Sequence, residues 1–222
     1  MLISEITEDL NRRGFLGALA GGAASVAGLD AQAKAKPKSE PVPLNHPNVK
    51  ILMDWAKRYI KDPAEMAAFM SECAHESDNF KSLEEYSSGE QYEGRKDLGN
   101  IYPGDGPRFK GRGFIQITGR WNYTEATKWI NKLLTKLSIP NRIDLVQNPK
   151  MVAQPTAAAL VSLWYWENRS KPKVKDFRNI KQVTKTINPK LKGEKNREAK
   201  AKEWQAALHV PKPGKPTRLA QR

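Results

Sequence analysis

Three glutamates within ten residues of one another could carry out acid–base chemistry. Glu76 follows Phe69 and Cys73 at the helical spacing i, i+4, i+7, which places its carboxylate at the end of a buried helix face. Partial removal from water favours the protonated form that a general acid needs. Glu84 and Glu85 follow across a turn. Hydrolysis of a glycosidic bond uses two such carboxylates, although Glu76 could also simply end its helix in solvent.

A glycine-rich segment downstream has side chains suited to binding a sugar. Between Gly111 and Tyr123 the chain reads Gly-Arg-Gly-Phe-Ile-Gln-Ile-Thr-Gly-Arg-Trp-Asn-Tyr. Its glycines allow the backbone to approach a ligand closely, and its amides and hydroxyl can donate or accept hydrogen bonds. Eight of the fifteen glycines lie between positions 89 and 119, and so long a loop inside a helical domain is typical of a functional segment.

Together these segments resemble the family 19 glycoside hydrolases. The resemblance covers roughly residues 62 to 208 and is closest to the endolysin branch found in phages and bacteria. Plant chitinases of the family carry disulfides, whereas Cys73 is the single cysteine here. The stretches that carry the resemblance are His75-Glu76-Ser77-Asp78-Asn79-Phe80, Leu83-Glu84-Glu85 and the motif from Gly111 to Tyr123.

The resemblance implies an inverting mechanism in which Glu76 is the general acid and Glu85 is the general base that activates water. Glu84 is the alternative base. Inversion needs roughly 6.5 to 9.5 Å between the two carboxyl groups, which leaves room for the water. The Thr118 hydroxyl is expected to hold that water, and His75 and Tyr123 to line sugar subsites. The full set of expected substrate-binding residues is His75, Gln116, Thr118, Asn122, Tyr123, Asn188 and Arg197.

Two positions near the end of the domain need separate treatment. The late helix of the family continues Asn-Gly-Gly, but this chain reads Asn188-Pro189-Lys190, so Asn188 is a candidate substrate ligand in a turn of altered geometry. Arg197 falls where shorter members carry an arginine that pairs with the helix of the acid. The alternative for Arg197 is an ordinary solvated helix charge.

A helical scaffold must position these residues. Asp62-Pro63-Ala64-Glu65 predicts a helix start with an N-cap, a proline at the first helical position and a capping-box glutamate. Strand signals are few, so the chain is predicted to be mainly α, a single helical domain with a long glycine-rich active-site loop. The resemblance places it in the lysozyme-like α+β superfamily. The other apolar stripes at helical spacing span residues 52–60, 126–137, 157–166, 177–187 and 194–208.

The two ends of the chain differ in composition from the middle. Residues 1–33 resemble a twin-arginine signal peptide, with Arg12-Arg13, an uncharged run over 14–29 and a small-x-small cleavage site ending at Ala33. A signal-anchor segment or a flexible Gly/Ala arm are the alternatives. We expect residues 34–45 to be a Lys/Pro linker, 46–209 the catalytic domain and 210–222 a basic flexible tail. The expected location is the periplasm, the extracellular space or the cell wall, with release at phage lysis as one route.

Charge bears on the substrate. The chain has 38 basic and 24 acidic residues and a net charge of +14, which favours polyanionic partners such as nucleic acid, anionic membranes or bacterial envelopes. Chitin is nearly neutral, and no cysteine-rich chitin-binding module precedes the domain. We therefore expect peptidoglycan, or a related N-acetylglucosamine polysaccharide, as the substrate. The alternatives are a chitinase, a basic wall- or nucleic-acid-binding module and an inactive wall protein.

Composition also limits cofactors and partners. One cysteine excludes an intramolecular disulfide, and three histidines without zinc-ligand spacing give no reason to expect a metal or an organic cofactor. Nucleic acid is not expected, since residues 106–111 lack the Lys-Ser/Thr of a phosphate loop. Four tryptophans at helical spacing are better explained as core: Trp121, Trp129, Trp164 and Trp204. We expect a monomer that contacts the membrane only during export.

Overall fold

A computed structural model describes residues 42–191 and 193–211 of the chain. The predicted signal segment, most of the predicted linker and most of the predicted tail lie outside these residues. Val42 and Val210, at the two margins, pack against the core. The α-helices are α1 (Pro47–Ala56), α2 (Pro63–Glu76), α3 (Asp105–Arg108), α4 (Arg120–Lys136), α5 (Pro155–Tyr165), α6 (Ile180–Ile187) and α7 (Glu194–Ala207).

The predicted mainly helical architecture is confirmed. Short 3-10 turns connect the helices, α5 runs directly into a π-helical turn over Trp166–Ser170, and the β-pairing in the described ranges consists of isolated bridges. The longest helix, α4, has 17 residues. Within the described ranges no helix combines the length and the apolarity needed to cross a bilayer.

The predicted start of α2 is confirmed in its cap but not in its capping box. Asp62 accepts a hydrogen bond from the Ala64 backbone N–H at 2.9 Å, and Pro63 opens the helix. Glu65 is buried, and its Oε1 instead accepts a hydrogen bond from Trp166 Nε1 at 3.0 Å and pairs with Lys171. Tertiary packing thus determines the contacts of Glu65, which the local pattern had assigned to the N-terminus of the helix.

Two other helix boundaries differ from the sequence pattern. The first stripe predicts a helix as far as Ile60, but α1 ends at Ala56, and the N–H groups of Tyr59 and Ile60 both bond to the Ala56 carbonyl in a turn. Ile60 is nevertheless buried, so the apolar spacing reports burial beyond the helix end. The stripe over 177–187 begins as a helix only at Ile180.

The core lies between α2 and α7 on one side and α1 and α5 on the other. Phe80, just after α2, contacts Phe114 of the glycine-rich loop and Trp204 of α7, with ring centroids 5.9 Å apart in both pairs. Trp164 and Trp204 are buried, as their spacing predicts. Trp121 departs from the prediction, because 46% of it is exposed.

The long glycine-rich loop is attached to the start of α4 by a buried carboxylate. Asp105 is 1% exposed, pairs with the Arg120 guanidinium at 2.5 Å, and accepts hydrogen bonds from the backbone N–H groups of Ile101 and Tyr102 at 3.1 Å. The ion pair with Arg120 and the two backbone hydrogen bonds hold this turn in one conformation, although it contains no regular strand. The loop is therefore a fixed wall of the domain.

We expect Asp62→Ala to lower the free energy of unfolding by about 1 kcal/mol, because the N-cap hydrogen bond to Ala64 is lost. Urea denaturation followed by circular dichroism measures the change. Asp54→Ala, at an exposed position within α1, is the matched control and should change stability by less than about 0.5 kcal/mol. Equal effects of the two substitutions would contradict the capping role.

Candidate active site

Two adjoining cavities form a cleft across the face of the domain, and Glu76, Gln116 and Thr118 line both of them. The acidic half, about 340 Å³, is lined by Glu76, Asp78, Ser82, Glu84, Glu85, Tyr86, Tyr92, Gln116 and Thr118. The lysine half, about 440 Å³, is lined by Glu76, Leu98, Ile115, Gln116, Ile117, Thr118, Asn122, Tyr165, Ile187, Asn188, Pro189 and Lys190. Glu76 therefore lies where the two halves meet.

Glu76 is held from behind by a buried arginine. Its side chain is 22% exposed, and its Oε1 accepts a hydrogen bond from Arg197 Nη2 at 2.5 Å. Arg197 is 1% exposed and also pairs with Glu72, which is completely buried. The predicted partial burial of Glu76 is thus present, and the buried pairing orients its carboxylate toward the cleft.

Glu72 is a functional-site residue that sequence analysis missed. Burial raises the pKa of Glu72, although the charge of Arg197 and a 2.6 Å hydrogen bond from the Thr184 hydroxyl both oppose that shift. The spacing of Phe69, Glu72 and Glu76, i, i+3, i+7, could have placed Glu72 on the buried stripe. A buried carboxylate there requires a cationic partner from elsewhere in the chain.

A sharp turn after α2 brings the loop glutamates back beside Glu76. Asp78, Asn79 and Phe80 all have positive φ, from 49° to 67°. Ser77 stabilises this conformation, because its hydroxyl donates to the Cys73 carbonyl and accepts from the Phe80 N–H. Backbone outside the favoured regions costs free energy and persists where surrounding contacts enforce it.

Glu84 and Glu85 have different environments. Glu84 Oε1 accepts from Arg112 at 3.0 Å and pairs with Lys110 at 3.2 Å. Burial alone would raise the pKa of Glu84, but these two cations outweigh it and lower that pKa below its usual value. Glu84 thereby joins the loop to the glycine motif, which it also contacts through a β-bridge to Arg112.

The Glu85 carboxylate has fewer partners than that of Glu84 among the described residues. Its Oε2 accepts a hydrogen bond from the Tyr92 hydroxyl at 3.0 Å, while its buried Oε1 accepts none from the described residues. A buried acceptor of this kind, beside the cleft, is suited to take a proton from water. The geometry favours Glu85 over Glu84 as the general base.

The glycine motif supplies the polar wall opposite the acid. Gln116 has a positive φ of 54°, and its Nε2 donates to the Gly113 carbonyl at 2.8 Å, which leaves its Oε1 toward Gly111. Thr118 donates to the Gln116 carbonyl at 3.1 Å, and Asn122 donates to the Thr118 carbonyl at 2.7 Å. These side chains line the cleft in an ordered row, as does Asn188 at the lysine half.

Three of the expected substrate-binding residues lie elsewhere. His75 Nδ1 bonds to Asn196 of α7 at 2.8 Å, and His75 lines neither cavity. Tyr123 is fully buried, and its hydroxyl donates to the Lys110 carbonyl at 2.7 Å. Arg197 lies behind Glu76. All three support the site and do not line it.

Several cleft residues carried no signal in the sequence. Tyr86, 86% exposed, and Tyr92 line the acidic half, while Tyr165 and Lys190 line the lysine half. Aromatic rings and single cations are common on any surface, so only the fold identifies these four as neighbours of Glu76. In the part of the chain that the structure describes, no cluster of three or more His, Cys, Asp or Glu side chains could hold a metal ion.

Sequence comparison relates the chain to glycosyl hydrolases. A Haemophilus influenzae protein described as containing a glycosyl hydrolase family 19 domain is 25% identical in an alignment of 160 residues that covers 58% of this chain and 72% of that protein. An endochitinase of Arabidopsis thaliana is 32% identical over 110 residues, 49% of this chain. The match spans only 34% of the plant enzyme. No protein-family model matches the chain.

Solved structures share the fold at lower identity. Chitinase C from Streptomyces griseus is 21% identical with a TM-score of 0.54, over 76% of this chain and 71% of that one. A family 19, class IV chitinase from Zea mays is 20% identical with a TM-score of 0.53, over 75% and 82% of the two chains. Both support the mainly helical architecture.

We expect Gly111→Ala to reduce kcat by at least about tenfold while the protein stays folded. An added Cβ would lie 2.9 Å from Gln116 Oε1 and 3.0 Å from Glu85 Oε2, and these side-chain ends can move aside more easily than backbone. Turnover of a soluble oligosaccharide and a thermal melt measure the two effects. Unchanged turnover would show that the position of Glu85 is not critical.

We expect Arg197→Met to lower the free energy of unfolding by about 3 to 5 kcal/mol, because it leaves the Glu72 carboxylate buried without its cation. Adding Glu72→Gln to the same chain should recover part of this loss. Lys202→Met, at an exposed position of α7, is the matched control. A loss below about 1 kcal/mol for Arg197→Met would argue against a buried ionic core in this region.

Proposed function

We propose that this chain, which is similar to family 19 glycoside hydrolases, hydrolyses β-1,4 glycosidic bonds of bacterial peptidoglycan with inversion at the anomeric carbon. The observation that carries the proposal is the pair of carboxylates that line one cavity, Glu76 supported by Arg197 and Glu85 with one oxygen that has no hydrogen-bond partner among the described residues. The two glutamates come from a helix and a loop and face the same 340 Å³ space.

The proposed reaction follows from the positions of these groups. Glu76 donates its proton to the glycosidic oxygen as the bond to the anomeric carbon breaks. A water in the acidic half attacks that carbon from the opposite face and gives its proton to Glu85. Thr118 and Gln116 line the same cavity as the two carboxylates and can orient this water. Proton exchange with solvent then restores both glutamates.

Net charge supports peptidoglycan as the substrate. The chain carries +14, and bacterial envelopes are anionic, so long-range attraction concentrates the enzyme at the wall. A neutral chitin fibre provides no such attraction. This argument concerns association, and the hydrolytic chemistry is the same for both polymers.

Chitin is the second candidate, and the comparisons favour it directly. The Arabidopsis relatives are named endochitinases, and the structural neighbours are bacterial and plant chitinases. The cleft residues Glu76, Glu85, Gln116 and Thr118 would serve N-acetylglucosamine chains equally well. Substrate assays therefore decide between the two.

We also propose that the enzyme acts outside the cytoplasm. The support is compositional: Arg12-Arg13, the uncharged run that follows and a small-x-small site ending at Ala33. Mass spectrometry of the protein recovered from cell fractions tests this. A mature form beginning at Lys34 in the periplasm or medium would support export, and intact chain confined to the cytosol would refute it.

Catalytic roles are tested by Glu76→Gln, Glu85→Gln and Glu84→Gln. We expect the first two to lower kcat about 10²- to 10⁴-fold, because each removes a proton-transfer group. Glu84→Gln should cost less, since Glu84 contacts Arg112 and Lys110 and contributes to loop structure. If Glu84→Gln were the more damaging of the two loop variants, the assignment of the base would be reversed.

The substrate is tested by mass spectrometry of products from purified peptidoglycan and from chitohexaose, with Glu76→Gln as the inactive control. Muropeptides released only by the wild type support the proposal, and their reducing ends identify the bond that is cut. The anomer formed first, followed by NMR, tests inversion. Cleavage of chitohexaose alone would establish the second candidate.

A further inference from the structure

The two halves of the cleft differ in charge. Apart from the shared Glu76, every charged side chain lining the acidic half is a carboxylate: Asp78, Glu84 and Glu85. In the lysine half the charged lining residue besides Glu76 is Lys190. A substrate laid along the cleft therefore meets the carboxylates of Asp78 and Glu85 on one side of Glu76 and the Lys190 ammonium group on the other, while Glu84 is already paired with Lys110 and Arg112.

Lys190 is presented by a structured turn. Asn188 ends α6, its Oδ1 accepts the Lys190 N–H at 3.2 Å, and its carbonyl accepts the Leu191 N–H at 2.9 Å. Pro189 restricts the backbone between them. Within residues 42–191 and 193–211 no carboxylate forms an ion pair with the exposed Lys190 ammonium group, so its charge is available to a ligand.

A second cation, Arg169, lies near residues at the edge of the lysine half. The Arg169 guanidinium is 4.0 Å above the ring of Trp121, whose neighbour Asn122 lines the lysine half. Arg169 also acts on Tyr165, which lines that half: burial raises the pKa of Tyr165, and the Arg169 charge opposes the shift. An exposed ring carrying a cation on one face is suited to a sugar with an anionic substituent.

We propose that the lysine half of the cleft binds the muramoyl unit of the wall polymer, whose lactyl-linked peptide carries carboxylates, through Lys190, with Arg169 near Tyr165 as a second positive charge. The acidic half then takes a neutral N-acetylglucosamine unit, because an anionic substituent there would face Asp78 and Glu85. This inference rests on the proposed function and names its specificity determinant. A neutral chitin chain makes no use of either cation.

The test compares native peptidoglycan with the same polymer after its carboxylates have been converted to neutral amides. Sonicated peptidoglycan is used as such and after carbodiimide coupling of its free carboxyl groups to glycinamide, which makes them neutral. We expect Lys190→Met to lower kcat/KM on native peptidoglycan about fivefold and to lose this penalty on the amidated polymer, since an exposed ionic contact contributes modestly. Lys185→Met, at an exposed position of α6 away from the cleft, is the matched control for net charge.

The outcomes separate the inference from the function on which it rests. A Lys190→Met penalty that exceeds that of Lys185→Met on native polymer and is removed by amidation supports the inference. Equal effects of the two substitutions, or a penalty that persists on amidated polymer, overturn the inference and leave the peptidoglycan hydrolase intact. Failure of the wild type to release muropeptides from either polymer overturns both.

Discussion

The site depends on one buried guanidinium. Arg197 of α7 lies between the carboxylates of Glu72 and Glu76, both on α2, and almost none of it reaches solvent. A charge inside a protein is tolerated only where partners compensate it, so this contact constrains how α2 and α7 approach each other. The aromatic cluster of Phe80, Phe114 and Trp204 packs beside it and excludes water. The acid is therefore built into the core of the domain.

The base is supported differently. Glu85 belongs to an irregular loop, and its position comes from a polar network that includes Glu84, Lys110 and Arg112. Lys110 donates to the Glu85 carbonyl, and the Tyr123 hydroxyl ties the Lys110 carbonyl to α4. The neighbouring Gly111 leaves just enough space for the Glu85 and Gln116 side chains. The two carboxylates proposed as acid and base therefore have different surroundings. Helix packing fixes Glu76, and a hydrogen-bonded loop fixes Glu85.

The cleft is the space in which a substrate would meet both glutamates. Its two halves meet at Glu76 and differ in the sign of the charges that line them. The chemistry proposed at Glu76 is the same for any β-1,4 chain of N-acetylglucosamine units. Discrimination between such substrates must therefore come from other groups in the cleft. The turn after α6, where Pro189 and Lys190 replace a Gly-Gly pair expected from the resemblance, is one place where such discrimination can arise.

Local sequence determined the helices with strong periodicity, the Asp62 cap and the place of Glu76 at the end of a buried helix face. These follow from short-range spacing and backbone preference, which act within a few residues. Only the tertiary structure decided that Glu84 is neutralised by cations from 26 and 28 residues away while Glu85 is not. It also placed His75 and Tyr123 behind the cleft, turned Glu65 toward Trp166 and revealed Glu72. Those outcomes depend on which distant side chains pack together in the core. The spacing of residues along a helix identifies its buried face but not the residues that cover that face.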